Sequence, residues 1–266
     1  VLRFASDCGS APAAIEIGYS LFFDFDAQHK GLLNLEYQNS IHSLVFTPER
    51  SKQSFALGEL SALRQFLSYG REGVWHIWIG YDHILFLLSL LLPAVLLRER
   101  RRWLPVARFP AAFWDVFKIV TSFTVAHSIT LSLAALGVIS LPSRLVESAI
   151  AASVVLAALN NLLPVVGGRR WVVAFAFGLI HGFGFASVLA ELGLPRDALV
   201  LALVGFNLGV EAGQLAIVAA FLPPAYYLRA SWFYQRAVLF GGSSAIVTIA
   251  MVWLLERVFD LKLITA

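Results

Sequence analysis

The chain has 266 residues, of which 59% are hydrophobic and only 14% are charged, and its formal net charge is +3. Soluble domains carry about 25% charged residues, so this composition indicates a polytopic membrane protein. The basic residues lie in short segments between apolar runs, which excludes nucleic acid as a partner, and the sequence has no nucleotide-binding motif. The single cysteine, Cys8, cannot form an internal disulfide.

The first 55 residues differ from the rest in composition. Runs rich in β-branched and aromatic residues at 15–25, 32–37 and 41–46 predict three antiparallel strands separated by turn-forming segments. Three strands are few for an independent sheet. We therefore interpret residues 1–55 as an extracytoplasmic β-strand domain. It is either the C-terminal part of a sandwich whose other strands precede Val1, or a small sheet that leans on the membrane part. His29 and His42 receive no functional role.

Residues 56–69 have leucine and phenylalanine at helical spacing with polar residues between them. This pattern predicts an amphipathic helix that lies on the membrane, or alternatively a plain connecting helix of the preceding domain. In either case residues 56–72 link the strands to the membrane part.

Six apolar segments follow, each close to the roughly 20 residues that cross a bilayer. They predict an all-α polytopic bundle of about six transmembrane helices over residues 73–258, followed by a tail at 259–266. Arginines concentrate in the first, third and fifth connections, so these loops are expected in the cytoplasm. We expect a multi-pass protein of the bacterial inner membrane, with the strand domain and the C-terminus extracytoplasmic. The predicted spans are 74–97, 114–138, 145–166, 171–191, 198–222 and 237–256.

Two histidines and an aspartate open the first predicted span, where lipid-facing residues should be apolar. An ionisable side chain at this depth is costly without a partner or an aqueous cavity, so it marks a functional site by default. On a continuous helix His76 and His83 lie on nearly one face, about 10 Å apart along the axis. We therefore expect His76 at the outer mouth and His83, with Asp82, deeper in the membrane.

Polar residues on other spans fall at the depth of His83. At about 1.5 Å per residue from the outer helix ends, His127, His181 and Asn207 all lie near the bilayer midplane. Small-xxx-small spacing of glycines in the fourth and fifth spans lets helix backbones approach closely and bring such side chains together. These glycines are Gly178, Gly182, Gly184, Gly205, Gly209 and Gly213.

Further polar residues extend the set. Glu211 and Gln214 continue the Asn207 face toward the cytoplasm, and Glu147 would join His76 at the outer mouth. Neutral imidazoles with carboxylate and amide oxygens are a ligand set for Ni(II), Co(II) and Zn(II). Separate interhelical hydrogen bonds are the structural alternative, and the Ser128 hydroxyl can bond back to a helix carbonyl. The predicted metal site consists of His76, Asp82, His83, His127, His181, Asn207 and Glu211, with Ser128, Glu147 and Gln214 as accessory residues.

Over residues 70–222 the sequence resembles the HupE/UreJ family of hydrogenase and urease accessory membrane proteins, in the branch with an N-terminal extracytoplasmic domain. The resemblance implies movement of nickel or cobalt ions, with His76, Asp82 and His83 carried over directly. The motifs that carry it are His76-x-x-x-Gly80-x-Asp82-His83, Thr124-Val-Ala-His127-Ser128-Ile-Thr130, His181-Gly-Phe-Gly-Phe-Ala186 and Asn207-Leu-Gly-Val-Glu211-Ala-Gly-Gln214.

The leading hypothesis is a permease that passes Ni2+ or Co2+ as its substrate through the bundle. Its expected partners are the lipid bilayer, the divalent ion and a periplasmic metal-handling protein. The alternative is an intramembrane hydrolase in which three histidines hold Zn2+ and leave a position for an activated water. A metal sensor that works through the strand domain is a third possibility.

Overall fold

A computed structural model describes residues 14–26, 29, 31–37, 40–56, 62–99, 102–163, 169–184 and 196–261. This part of the chain is mostly helical, with a small strand region at its N-terminal end. The predicted fold class is therefore confirmed.

The strand region contains two antiparallel pairs. β1 (Ala14–Gly18) pairs with β4 (Lys52–Ala56), and β2 (Gly31–Tyr37) pairs with β3 (Ser40–Phe46) in register Gly31 to Phe46. The second and third predicted strands are confirmed. The first is shorter than predicted, because residues 21–25 form turns, and the sequence pattern missed β4, which is short and mixes polar with apolar residues.

Within the described ranges, seven α-helices and a short hairpin follow. Four helical segments are long and apolar enough to cross a membrane, and a fifth crossing is added if the bent pair α1 and α2 counts as one span. The helices are α1 (Ala62–Ile79), α2 (Tyr81–Leu91), α3 (Phe109–Ala135), α4 (Ser143–Leu162), α5 (Arg170–His181), α6 (Arg196–Leu228) and α7 (Gly242–Phe259), which a π-helical segment (Tyr234–Gly241) precedes without a break. The hairpin strands are β5 (Leu96–Glu99) and β6 (Arg102–Pro105).

The first predicted span is not one continuous helix. α1 and α2 meet at Gly80 with a bend of 72°, and Gly80 itself has an extended backbone (φ −77°, ψ 94°). A Cβ at Gly80 would lie 2.7 Å from the carbonyl oxygen of His76 and 3.0 Å from Nδ1 of His83, so only glycine fits here. α1 also runs through the boundary predicted at residue 72, and it therefore joins the predicted linker to the first half of the predicted span.

A seam of glycines joins α1 to α6 in direct backbone contact. A Cβ on Gly209 would be 2.7 Å from the carbonyl carbon of Gly70, and one on Gly205 would be 2.7 Å from the carbonyl oxygen of Phe66. On α1, a Cβ on Gly73 would collide with the carbonyl oxygen of Phe206. The small residues thus permit direct contact between two helix backbones, as their spacing predicts.

One end of the bundle, which we call the arginine-rich end, collects residues 92–99, 102–108 and 229–233, together with residues 163 and 169 at the two ends of the connection between α4 and α5. There the Arg229 Nε donates to the Val106 carbonyl at 2.9 Å and the Tyr234 hydroxyl donates to the Leu92 carbonyl at 2.9 Å. At the opposite end, Arg144 on α4 donates to the carbonyl of Arg257 on α7. The pair α1 and α2 therefore traverses the bundle, since α1 begins beside the start of α6 and α2 ends at the arginine-rich end.

Two further contacts fix the ends of α2, α4 and α5. The Asn161 amide donates to the Ser89 carbonyl at 2.7 Å and to the Ser243 hydroxyl at 3.1 Å, so it ties α4 to α2 and α7. Arg170 pairs with Asp115 on α3 at 2.9 Å. α5 rises only 12 residues from this end, about 18 Å, and so delivers its last residue to the middle of the bundle.

Candidate metal centre

Three histidines from three helices meet in the middle of the bundle. The ring centroids of His76 (α1) and His83 (α2) are 4.6 Å apart, and His127 (α3) lies 6.3 Å from the first and 6.4 Å from the second. The prediction that His76 lies about 10 Å from His83, nearly two helical turns away toward the outer mouth, is wrong. The bend at Gly80 turns α2 so that His83 faces back toward His76 instead of continuing along the α1 axis.

Asp82 orients the His83 ring. The Nδ1–H of His83 donates to Oδ1 of Asp82 at 2.9 Å, and the backbone N–H of His83 donates to the same oxygen at 2.9 Å. This bond places the ring proton on Nδ1 and leaves a lone pair on Nε2. That Nε2 is buried and has no hydrogen-bond partner among the described residues. Asp82 therefore acts on the site through His83.

Asn207 orients the fully buried His127 ring in the same way. The Nδ2 of Asn207 donates to the Leu203 carbonyl at 2.8 Å, which turns Oδ1 of the amide toward His127. Nδ1 of His127 lies 3.2 Å from that oxygen and must be its donor. The lone pair again falls on Nε2, which has no partner within the part of the chain that the structure describes.

Ser153 on α4 orients His181. The sequence pattern predicted His181 as a site residue but missed Ser153. The Ser153 hydroxyl donates its one proton to the Ile150 carbonyl at 2.6 Å, so it accepts from Nε2 of His181 at 2.8 Å. The lone pair of His181 is consequently on Nδ1, which is buried and unpartnered in the described chain. Its ring centroid lies 5.3 Å from that of His83. A buried serine in an otherwise apolar span is the signal that could have found it.

The donor set can be tested against the geometry a metal ion needs. One ring nitrogen from each of His76, His83 and His127 lies within 4.8 Å of the others. Tetrahedral coordination with metal–nitrogen bonds of about 2.1 Å places ligand nitrogens about 3.4 Å apart. Small side-chain rotations are enough to bring the ring nitrogens from within 4.8 Å of one another to this spacing. The lone pairs of His83 and His127 are already set by their partners, so this histidine cluster fits a divalent transition metal.

Aromatic rings enclose the histidines on the sides without polar partners. Phe86 and Phe123 lie 4.8 Å and 5.3 Å from the His181 ring, and Phe206 lies 5.3 Å from the His76 ring. All three phenylalanines are almost fully buried. The buried rings of His83, His127 and His181 are therefore screened from lipid and bulk water. The low dielectric around them strengthens their polar interactions.

Two of the remaining predicted residues form a polar ladder between α3 and α6. The Thr121 hydroxyl donates to Oε1 of Glu211 at 2.7 Å, and the Thr124 hydroxyl donates to Oε1 of Gln214 at 3.1 Å. These bonds lie on the arginine-rich side of His127, since α3 starts at that end. Glu211 contributes no atom to the compact group of ligand nitrogens.

The structure places the last two accessory residues away from the histidines' lone pairs. The Ser128 hydroxyl donates to the Thr124 carbonyl at 2.7 Å, the local bond expected of a helical serine. Glu147 lies at the end opposite the arginine-rich end, where Oε2 is 3.5 Å from Nε of Arg257.

The fold and this cluster define a polytopic membrane protein whose helices converge on intramembrane histidines. Within that class the chain belongs to the HupE/UreJ family, because the family model described as HupE / UreJ protein matches residues 51–257. The match contains all four histidines of the centre and begins just before β4. No curated protein and no solved structure matches the chain significantly.

Proposed function

We propose that the protein is a membrane permease for a divalent transition metal, Ni2+ or Co2+, which is its substrate. The observation that carries the proposal is the meeting of His76, His83 and His127 from three helices, with ring nitrogens within 4.8 Å of one another. Family membership supports a role with nickel or cobalt. Neutral imidazoles select such ions over Mg2+ and Ca2+, which prefer oxygen ligands.

His181 supplies a further ligand position beside this group. Its Nδ1 lone pair is buried, and its ring is nearer to the His83 ring than the His127 ring is. An ion bound at His83 can exchange a nitrogen of His76 for that of His181 without leaving the enclosed space. Exchange between neighbouring ligands lets a tightly held ion move, as conduction requires.

The ladder of Thr121, Thr124, Glu211 and Gln214 gives the route from the histidines toward the arginine-rich end. Its oxygens lie one to two helical turns beyond Asn207, at i+4 and i+7 on α6. Oxygen ligands bind Ni2+ and Co2+ more weakly than imidazoles do, which favours release. Glu211 supplies negative charge on this path.

We propose the same orientation that the loop charges predict. The arginine-rich end faces the cytoplasm of a bacterial inner membrane, so the strand region and the C-terminus are extracytoplasmic. The ion then enters near the start of α1, where a periplasmic metal-handling protein can deliver it, and leaves past Glu211. The residues of the proposed site are His76, His83, His127 and His181, with Asp82, Asn207 and Ser153 holding histidine rings and Glu211 on the exit path.

Metal uptake by cells that express the protein tests this proposal. Wild-type cells should accumulate Ni2+ or Co2+ above a vector control, and His83→Ala should abolish the excess while the variant still reaches the membrane and purifies as a folded helical protein. His29→Ala is the matched control, because His29 lies in the strand region beside Tyr19, and it should leave uptake unchanged. Undiminished uptake in folded His83→Ala would rule the site out.

The alternative, an intramembrane zinc hydrolase, is favoured by one observation. The lone pairs of three buried imidazoles are fixed by hydrogen bonds, as in zinc sites that hold their ion permanently. Elemental analysis of the purified protein separates the two functions. Stoichiometric zinc that stays bound during chelation, together with no metal uptake by cells, would favour the enzyme. Exchangeable nickel or cobalt that is absent from His83→Ala would support the permease.

A further inference from the structure

A recess on the outer surface of the bundle lies between α3 and α5, apart from the histidine centre. Its volume is about 420 Å3, enough for a phospholipid headgroup and the first carbons of its acyl chains. We call it the Lys118 recess; its lining residues are Phe117, Lys118, Thr121, Ser122 and Trp171.

The recess presents one positive charge in apolar surroundings. The Lys118 side chain is exposed, and no ion pair joins it to a carboxylate in the described ranges. The acid one turn away, Asp115, is already bound to Arg170 at 2.9 Å. Glu211 lies behind the wall and accepts a hydrogen bond from Thr121. A lysine at this position is favourable only when its ammonium group meets an anion or the headgroup layer.

Aromatic residues show at which level of the membrane the recess lies. Phe113, Trp114 and Phe117 form a cluster at the start of α3, with ring centroids 5.5 Å to 6.2 Å apart, and Trp171 opens α5 with 43% of its surface exposed. Exposed tryptophans of this kind mark the boundary between headgroups and acyl chains. Lys118 is one turn inside Trp114, within reach of lipid phosphates.

We infer that the Lys118 recess binds an anionic phospholipid of the leaflet at the arginine-rich end. The phosphate pairs with the Lys118 ammonium group, and an acyl chain lies against Phe117 and Trp171. Charge complementarity selects the occupant, because a basic pocket between helices at this level is suited to anionic lipid headgroups. Since Thr121 forms part of the wall and also bonds Glu211, the bound lipid touches the ladder directly.

Lipid binding to the purified full chain in detergent micelles tests the inference. Wild-type protein should bind fluorescent phosphatidylglycerol more tightly than phosphatidylcholine by about five-fold, the effect of one basic residue near a lipid surface. Lys118→Gln should reduce this preference to none, and Lys118→Arg should keep it. Both variants change an exposed side chain, so their folding is not at issue.

Arg236→Gln is the matched control, because Arg236 is an exposed cation near the same end and outside the recess. If it weakens phosphatidylglycerol binding as much as Lys118→Gln does, the attraction is diffuse and the inference fails. It also fails if Lys118→Gln keeps the preference. Glycerol 1-phosphate should compete poorly; equal competition by this molecule would assign the recess to a soluble phosphate instead of a lipid.

Discussion

Replacing Gly209 by alanine probes the seam that holds α1 against α6. The added Cβ would collide with the carbonyl oxygen of Gly70 and would lie 2.7 Å from its carbonyl carbon. Carbon atoms pack at about 3.5 Å or more, so the carbon contact alone requires the two backbones to separate by about 0.8 Å, and the oxygen contact requires more. Backbone cannot rotate away as a flexible side chain does, and separation opens the seam above and below the new methyl group.

The expected cost follows from two opposing effects. Overpacking at a tight contact costs about 1 to 3 kcal/mol, whereas replacing glycine by alanine inside a helix gains up to about 1 kcal/mol. We expect Gly209→Ala to lower the free energy of unfolding by about 1 to 2 kcal/mol. Because His76 is on α1 and Asn207 is on α6, the same displacement should also weaken metal binding.

Unfolding of the purified protein by sodium dodecyl sulfate, followed by circular dichroism, measures the stability, and calorimetric titration with Ni2+ measures the affinity. Gly241→Ala is the matched control, because a Cβ there meets only the Arg236 carbonyl oxygen at 3.7 Å; it should be neutral or slightly stabilising. Wild-type stability in Gly209→Ala would show that the seam is looser than described and would refute the reasoning.

Two further predictions concern side chains that hold other parts of the bundle. Ser153→Ala should weaken Ni2+ or Co2+ binding by about ten-fold or more, because His181 loses the partner that fixes its ring proton. Ser128→Ala removes only a local bond to its own helix and should leave metal binding unchanged. Equal losses of affinity in the two variants would contradict the role of Ser153. Asn161→Ala removes two interhelical hydrogen bonds and should lower the free energy of unfolding by about 1 kcal/mol in the same detergent titration without changing metal affinity.

The meeting of His83, His127, His181 and Asn207 could be anticipated from the sequence, since depth grows by a nearly constant rise per residue along each helix. Alternating loop charge adds the direction of each helix. The glycine spacing also anticipated where backbones touch. These features follow from regular helical geometry, which short sequence patterns describe well.

The position of His76 could not be anticipated, because the apolar pattern of the sequence continues through Gly80 and predicts an unbroken helix. The break depends on tertiary contacts: α1 is fixed to α6 by its glycines, while α2 packs against α4. The role of Ser153 was missed for a similar reason, since a serine in an apolar span has the same local pattern whether it bonds its own helix or another. Thr121 and Thr124, which bond Glu211 and Gln214 on α6, were missed for the same reason.

The break at Gly80 has a consequence for how the bundle can respond to its ion. α1 packs mainly against α6, and α2 packs mainly against α4, so His76 and His83 belong to two different helix pairs joined by one extended residue. An ion held by both histidines would crosslink these two pairs. We expect the angle between α1 and α2, 72° in this structure, to vary more when no ion is bound.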